Sequence, residues 1–245
     1  MTRILCCIPA RYNSSRLPGK PLLKINNKTI INLVYEKAIQ TNVTEIVVLT
    51  DNKRIYDDVI SFGGNCVIVQ EKCLNGTERI VKYLKTINHS NFDIIVNIQG
   101  DEPFIKPTII NQTINNFIKK NIVCSTICFK TTDREEIKSK SRGKVVVDNL
   151  NNILYCSRNI IPTNKYENII QNHKYNIHVG IFVYNKNYLL DHFCQKNTPN
   201  QLLEDIEWLK IMEQGFKINT IFSEKMERGI DTIDDYNYLK NKYEH

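Results

Sequence analysis

The sequence predicts an α/β domain whose mostly parallel sheet is covered by helices on both faces. Three observations carry this. Short apolar runs of strand length alternate with stretches of helical periodicity through the first hundred residues. The first run, Arg3–Ile8, reads as a buried strand. The 245 residues, 42% hydrophobic and 24% charged, can bury one real core without disulfide or metal staples, and predict a single domain over 1–245.

The elements follow in order. Thr29–Thr41 reads as a helix with Ile30, Leu33, Val34 and Ala38 on one face. Glu45–Leu49 is the second strand, ended by Thr50 and Asp51. Lys53–Ser61 is helical and stops at Gly63 and Gly64. Asn65–Val69 is a strand, Thr77–Ile87 a helix and Asp93–Ile98 a strand. Such sheets bind ligands beyond the carboxyl ends of their strands, so the loops after Ile8, Val69 and Ile98 are where a site is expected. The second half is more mixed. Ile122–Phe129, Lys144–Val147 and Ile153–Cys156 read as strands, with a turn at Asn149–Asn152. Arg158–Lys174 has weak periodicity and reads as an excursion from the body. Tyr175–Tyr184 alternates, with Ile177, Val179, Ile181 and Val183 on one face and His178, Gly180, Phe182 and Tyr184 on the other. Leu202–Gln214 reads as a helix, Lys217–Phe222 as the last strand, and Thr232–Lys242 as a terminal helix capped by Asp231.

The formal charge of +7 points to anionic partners. The cations concentrate in one loop rather than along an aromatic-bearing face, which argues against a nucleic-acid surface. Of eight cysteines, Cys6, Cys7, Cys66, Cys124 and Cys128 sit in apolar runs, and no Cys-x-x-Cys pair exists. That usage predicts a reduced, cytoplasmic setting. The N-terminal apolar run is too short for a signal peptide, and no stretch approaches the ~18 apolar residues of a membrane span.

The loop "IPARYNSSRLPGKPL" at 8–22 gathers Arg11, Arg16 and Lys20 directly after the first strand. Arginine presents a planar fork to phosphate oxygens and lysine a point charge, and Gly19 lets the backbone turn so that N–H groups assist. The alternative is a solvated basic loop. The Gly-x-Gly-x-x-Gly fingerprint of dinucleotide enzymes is absent.

This loop resembles the N-terminal signature of CMP-Kdo synthetases, the 3-deoxy-manno-octulosonate cytidylyltransferases. The resemblance continues through "NGTERI" at 75–80, "VNIQGDEP" at 96–103, "YCSRNIIP" at 155–162, "HVGIFVY" at 178–184, "LEDIE" at 203–207 and "GIDT" at 229–232. It implies a nucleotidyltransferase fold, a homodimer with the second-half excursion at its interface, CTP and an acidic eight-carbon sugar as substrates, and Mg²⁺ as cofactor. It implies CTP contacts from Pro9, Ala10, Arg11, Arg16, Lys20, Asn75 and Gly76, and sugar contacts from Arg79, Gln99, His178, Tyr184, Glu204 and Glu207. Arg11, Lys20, Asp101 and Asp231 carry catalysis by the same resemblance, with Asp101 and Asp231 holding the metal. The chain departs from the family pattern at Val183, Lys210, Glu213 and Ile233.

Several of these residues also have plainer readings. Asp101 before Glu102-Pro103 suits either a hard cation or an Asx-turn. Asp231 suits a metal or a helix cap. Asn75 and Glu78 form the pattern of a capping box, whereas Arg79 has no such structural explanation. Glu204 and Glu207, three apart on one helix, point the same way, which also describes a solvated helix face. The expected reaction is in-line attack of the sugar's anomeric hydroxyl on the α-phosphorus of CTP. The same reaction on an amino-Kdo or sialic-type acid, or sugar-nucleotide binding without catalysis, are the alternatives.

Overall fold

The computed structural model describes residues 2–14, 16–87, 91–166, 169–224 and 226–244. β1 (Ile4–Ala10) leads through a 3-10 turn at Lys20–Leu22 and a small hairpin, β2 (Lys24–Ile25) and β3 (Lys28–Thr29), into α1 (Ile30–Ile39). β4 (Glu45–Thr50), α2 (Lys53–Ser61), β5 (Cys66–Ile68), α3 (Gly76–Thr86) and β6 (Ile94–Ile98) complete the expected alternation. Then come α4 (Pro107–Lys120), β7 (Cys124–Thr131), α5 (Arg134–Lys138), β8 (Lys144–Val147), β9 (Ile153–Ser157) and β10 (Tyr175–Asn185). The chain ends with α6 (Lys186–Tyr188), a π-helical turn at Leu189–Phe193, α7 (Pro199–Glu204), α8 (Leu209–Glu213), β11 (Ile218–Ser223) and α9 (Ile233–Tyr243).

The main sheet runs β11-β7-β10-β6-β1-β4-β5, with β8 on β10 and β9 on β8. Along that path β10 alone, among the described residues, opposes the other strands. From β1 the chain steps outward to β4 and β5, then returns through α3 to place β6 on the other flank of β1. The boundary between β1 and β6 is therefore the topological switch point, and a crevice opens beyond their carboxyl ends.

Side chains of β1 alternate into two cores. Ile4, Cys6 and Ile8 pack with α1, α2, α4 and α9; Leu5 and Cys7 pack with α3, the π-turn and α8. β10 alternates as expected, Ile177, Val179, Ile181 and Val183 joining the first core and Phe182 and Tyr184 the second. All eight cysteines are free, and burial pushes the thiols of Cys66 and Cys128 up to about 12, so these pack as apolar groups.

The sequence reading lacks the small β2–β3 hairpin, α5, α6 and the π-helical turn, and it differs more widely in two places. That reading has no element between Ile98 and Ile122, yet α4 lies there, begun by Pro107 and burying Ile109, Ile110, Thr113, Ile114 and Phe117. Its Ile, Thr and Asn content lowers intrinsic helix propensity, and packing supplies what propensity does not. The single helix expected over Leu202–Gln214 is two, because Asp205 sits in the left-handed region at φ 52°. Glu213 secures the break by accepting from the Asn200 and Gln201 N–H groups at the start of α7. Arg158–Lys174 carries no helix or strand among its described residues; 167 and 168 lie outside them.

Candidate functional site

A cavity of about 430 Å³ opens at the switch point. One wall comes from the loop after β1. Gly19 adopts φ 70°, a conformation that costs other residues about 1–2 kcal/mol, and starts the turn that sends Lys20 back towards the sheet. Lys20, 9% exposed, donates to Asp101 Oδ2 at 2.7 Å and to the Ile230 carbonyl at 2.6 Å, and its Nζ lies 3.9 Å from Asp231 Oδ1. Arg16 Nη2 approaches the same Asp231 oxygen at 3.2 Å. Arg11 lies on the rim and makes no ion pair among the described residues. Pro9 and Ala10 line the cavity floor beside Asn75 and Gly76.

Asp101 and Asp231, 130 positions apart in sequence, thus face one ammonium. Ile230 N–H also donates to the Asp101 carbonyl at 2.9 Å, which joins the two loops directly. Burial, then the charge of Asp101, raises the Asp231 carboxyl above its ordinary value. The neighbouring Glu102 is pushed up to about 8 by the same two causes. Burial and mutual repulsion disfavour carboxylate charge here despite Lys20 and Arg16, and every acidic donor is a hard oxygen. Both properties suit Mg²⁺. Among the described residues no three metal-type side chains converge, so such an ion needs water or ligand oxygens to complete its shell.

The expected cap is corrected. Thr232, not Asp231, caps α9: its hydroxyl accepts from Asp235 N–H at 3.2 Å while Asp235 Oδ2 accepts from Thr232 N–H at 3.0 Å. A threonine with an acid three residues on satisfies the helix end reciprocally, which leaves the Asp231 carboxylate turned to the cavity.

Asn75 caps α3 as expected, its Oδ1 accepting from Glu78 N–H at 2.8 Å. Glu78 reaches back to Leu74 N–H at 2.9 Å rather than to that of Asn75. Arg79 lines the cavity but also has a structural partner: Nη2 meets Asp51 Oδ2 at 3.0 Å and Nη1 donates to the Val69 carbonyl at 3.3 Å. Asp51 Oδ1 in turn accepts from Tyr12 N–H at 3.2 Å, so this aspartate ties α3 to the cationic loop.

Gln99, His178 and Glu207 reach the cavity from β6, β10 and the α7–α8 junction. Gly180 is required for this: a Cβ there would lie 2.8 Å from Gln99 Oε1. Glu207 accepts from the Thr77 hydroxyl at 2.9 Å and the Thr77 N–H at 3.3 Å, and burial raises its proton affinity. Glu204 and Tyr184 are corrected as direct contacts. The helix break at Asp205 turns Glu204 away, where it accepts from the Ser157 hydroxyl at 2.8 Å and Arg158 N–H at 3.1 Å. Tyr184 is fully buried beneath Thr77, 3.4 Å from its hydroxyl, and does not line the cavity. The family departures at Lys210 and Glu213 serve packing: Lys210 is 1% exposed and donates to the Gln195 carbonyl at 2.6 Å.

Among the lining residues outside the expected set are Glu102, Arg142, Arg158 and Trp208. Glu102 and Arg158 lie inside quoted motifs, which was the available signal. Arg142 had none. Its loop is held by the fully buried Lys144, which donates to the carbonyls of Ser139 at 2.6 Å and Arg142 at 2.7 Å. Arg158 donates to the carbonyls of Ser141 at 2.6 Å and Asp205 at 2.9 Å, drawing the same loop and the α7–α8 junction together.

Comparisons with known proteins show the family. The family model for cytidylyltransferases matches residues 5–226. The chain is 36% identical over 243 residues to the 3-deoxy-manno-octulosonate cytidylyltransferase of Fusobacterium nucleatum, covering 97% of each. It is 37% identical to the enzyme of that name from Protochlamydia amoebophila, covering 95% of this chain and 91% of the other. Among solved structures, a CMP:2-keto-3-deoxy-manno-octonic acid synthetase complexed with CTP superposes with a TM-score of 0.88 at 32% identity, covering 98% of each chain.

Proposed function

The chain belongs to the cytidylyltransferase family, and we propose that it transfers CMP from CTP to the anomeric hydroxyl of 3-deoxy-manno-octulosonate, releasing pyrophosphate. One observation carries the reading. Lys20, Asp101 and Asp231 meet at the switch point of a cavity whose far wall holds Gln99, His178 and Glu207. A polyphosphate at the cationic loop and a polyhydroxylated acid at that far wall share one space, and about 430 Å³ falls in the range of small-molecule sites.

Arg11, Arg16 and Lys20 hold the triphosphate, and Pro9, Ala10, Asn75 and Gly76 border the nucleotide. Binding the triphosphate draws Lys20 from Asp101 towards phosphate oxygens, which frees that carboxylate. Asp101 and Asp231 are the residues that would hold Mg²⁺, which when bound supplies charge neutralisation for the attacking and leaving oxygens. Gln99, His178 and Glu207 orient the sugar so that its hydroxyl lies in line with the α-phosphorus. No protein nucleophile is required. Lys20 and Arg16 stabilise the departing pyrophosphate. Glu204 contributes through Arg158 and Tyr184 through Thr77, each from behind the site.

The protein acts as a homodimer in this reading. β9 is an edge strand that exposes Leu154, and α7, bound to it through Ser157 and Glu204, exposes Leu202 and Leu203. Pairing two copies over these residues covers an otherwise wet apolar edge. The cytoplasm is the compartment that supplies CTP, and no helix among the described residues is long and apolar enough to cross a membrane.

Pyrophosphate release from CTP with a panel of acidic sugars tests the function. Turnover with 3-deoxy-manno-octulosonate, dependent on Mg²⁺, is expected. Tight CTP binding without turnover on any such acid would refute it.

A further inference from the structure

His178 stands on β10 where the ladder to β7 slips between Val179 and Phe182. That bulge leaves the Ile181 carbonyl without a ladder partner on β7, and the Thr126 hydroxyl takes it at 2.6 Å. The same Thr126 Oγ1 lies 2.8 Å from His178 Nε2. Thr126 is fully buried, so no water supplies a further proton. A hydroxyl has one proton, and a carbonyl can only accept it. Towards His178, therefore, Thr126 Oγ1 is an acceptor, and Nε2 must carry hydrogen.

The other ring nitrogen follows from this. Burial, with Arg158 adding to it, drives the His178 pKa down to about 3, so the imidazole is neutral and Nδ1 is bare. Nδ1 has no partner among the described residues. It is also not among the sealed, unpartnered polar atoms, which are Asn97 Oδ1 and Glu136 Oε2. His178 lines the cavity, which is the open space an unsealed, unpartnered Nδ1 can face. The ring plane is fixed by Phe182 at 4.8 Å and Trp208 at 4.7 Å between centroids.

We propose that Thr126 is a positioning residue that locks His178 in one tautomer, so that Nδ1 accepts a hydrogen bond from a hydroxyl of the acid sugar and rejects its carboxylate at that point. A bare nitrogen lone pair attracts an O–H donor and repels an anionic oxygen. The cavity thereby distinguishes the hydroxylated end of the substrate from its acid end by the direction of one proton. The ligand half of this inference rests on the sugar-activating function above; the tautomer half rests on the protein alone.

Two-bond proton–nitrogen correlation spectra of the histidine-labelled, ligand-free protein read the tautomer directly. Hydrogen on Nε2 and none on Nδ1 is expected. Thr126→Val removes the acceptor but keeps the shape; it should mix the tautomers and raise KM for the sugar roughly tenfold, the loss of about one hydrogen bond, with KM for CTP unchanged. Thr126→Ser should restore both the spectrum and KM. A protonated Nδ1 in the wild-type protein overturns the proposal whatever the substrate, as does an unchanged sugar KM in a folded Thr126→Val. If Nδ1 is bare but no acidic sugar is turned over, the function and the ligand fall together while the tautomer stands.

Discussion

Replacing Lys20 with Met tests the centre of the site. The change keeps an apolar stem of similar length and removes the ammonium that Asp101 and Asp231 share at 2.7 and 3.9 Å. Side-chain exposures of 21% and 29% place these carboxylates between surface and interior. With an effective dielectric of about 40, the two attractions are worth ~3 and ~2 kcal/mol gross. Rehydration of the carboxylates and the remaining Arg16 offset part of this, leaving a net loss of roughly 2–3 kcal/mol. For a chain of this size that is a fall in Tm of roughly 5–10 °C. Mg²⁺ should then stabilise the variant more than the wild type, since the carboxylates have lost their nearest counter-charge. Turnover should not recover with it, because the triphosphate has lost a charge-assisted contact worth about 1.5–3 kcal/mol, or ten- to hundredfold in kcat/KM for CTP. Thermal melts with and without Mg²⁺, beside initial rates at varied CTP, measure all three. An unchanged Tm together with a normal KM for CTP would refute the assignment of Lys20.

Asp231→Asn should melt no lower than about 1 °C below the wild type, because Thr232 and Asp235 cap α9 without it and because burial and Asp101 already disfavour its charge more than Lys20 and Arg16 favour it, yet lose turnover by about a hundredfold or more; near-normal rates at saturating Mg²⁺ would remove Asp231 from the site. Arg79→Ala should impair sugar use more than CTP use and also destabilise by roughly 1–3 kcal/mol, since it strands the partly exposed Asp51; chemical denaturation beside kinetics separates the two effects. The unfolded chain protonates His178 near pH 6.5 while the folded chain holds it neutral to about 3. Between those values the unfolded state binds the extra proton, so stability falls as pH drops through this window. His178→Gln should lack that component, about 3 kcal/mol, in unfolding free energies compared at pH 7 and pH 4. A pH dependence identical to wild type would contradict a neutral buried imidazole.

The sequence by itself determined the alternating α/β order, the strand at β10 with its two faces, and the cationic loop after β1. Each of these is written in contacts between near neighbours, where period 2 and period 3.6 decide what faces a core. The ordered motifs added the family, because seven short stretches in one sequence order constrain a chain far more than any of them alone. Tertiary structure decided the rest. Nothing local required Lys20 to meet Asp101, 81 positions on, or the Ile230 carbonyl, 210 positions on. That meeting is a consequence of β6 returning to the flank of β1. Arg79 looked free of structural duty because its partner, Asp51, sits at the end of another strand. Glu204 and Glu207 parted because one left-handed residue, Asp205, broke a helix whose periodicity ran straight through it. Thr126 carried no signal at all. Its hydroxyl matters only because a bulge on the neighbouring strand leaves one carbonyl and one imidazole competing for a single proton, and such an encounter exists only once the sheet has formed.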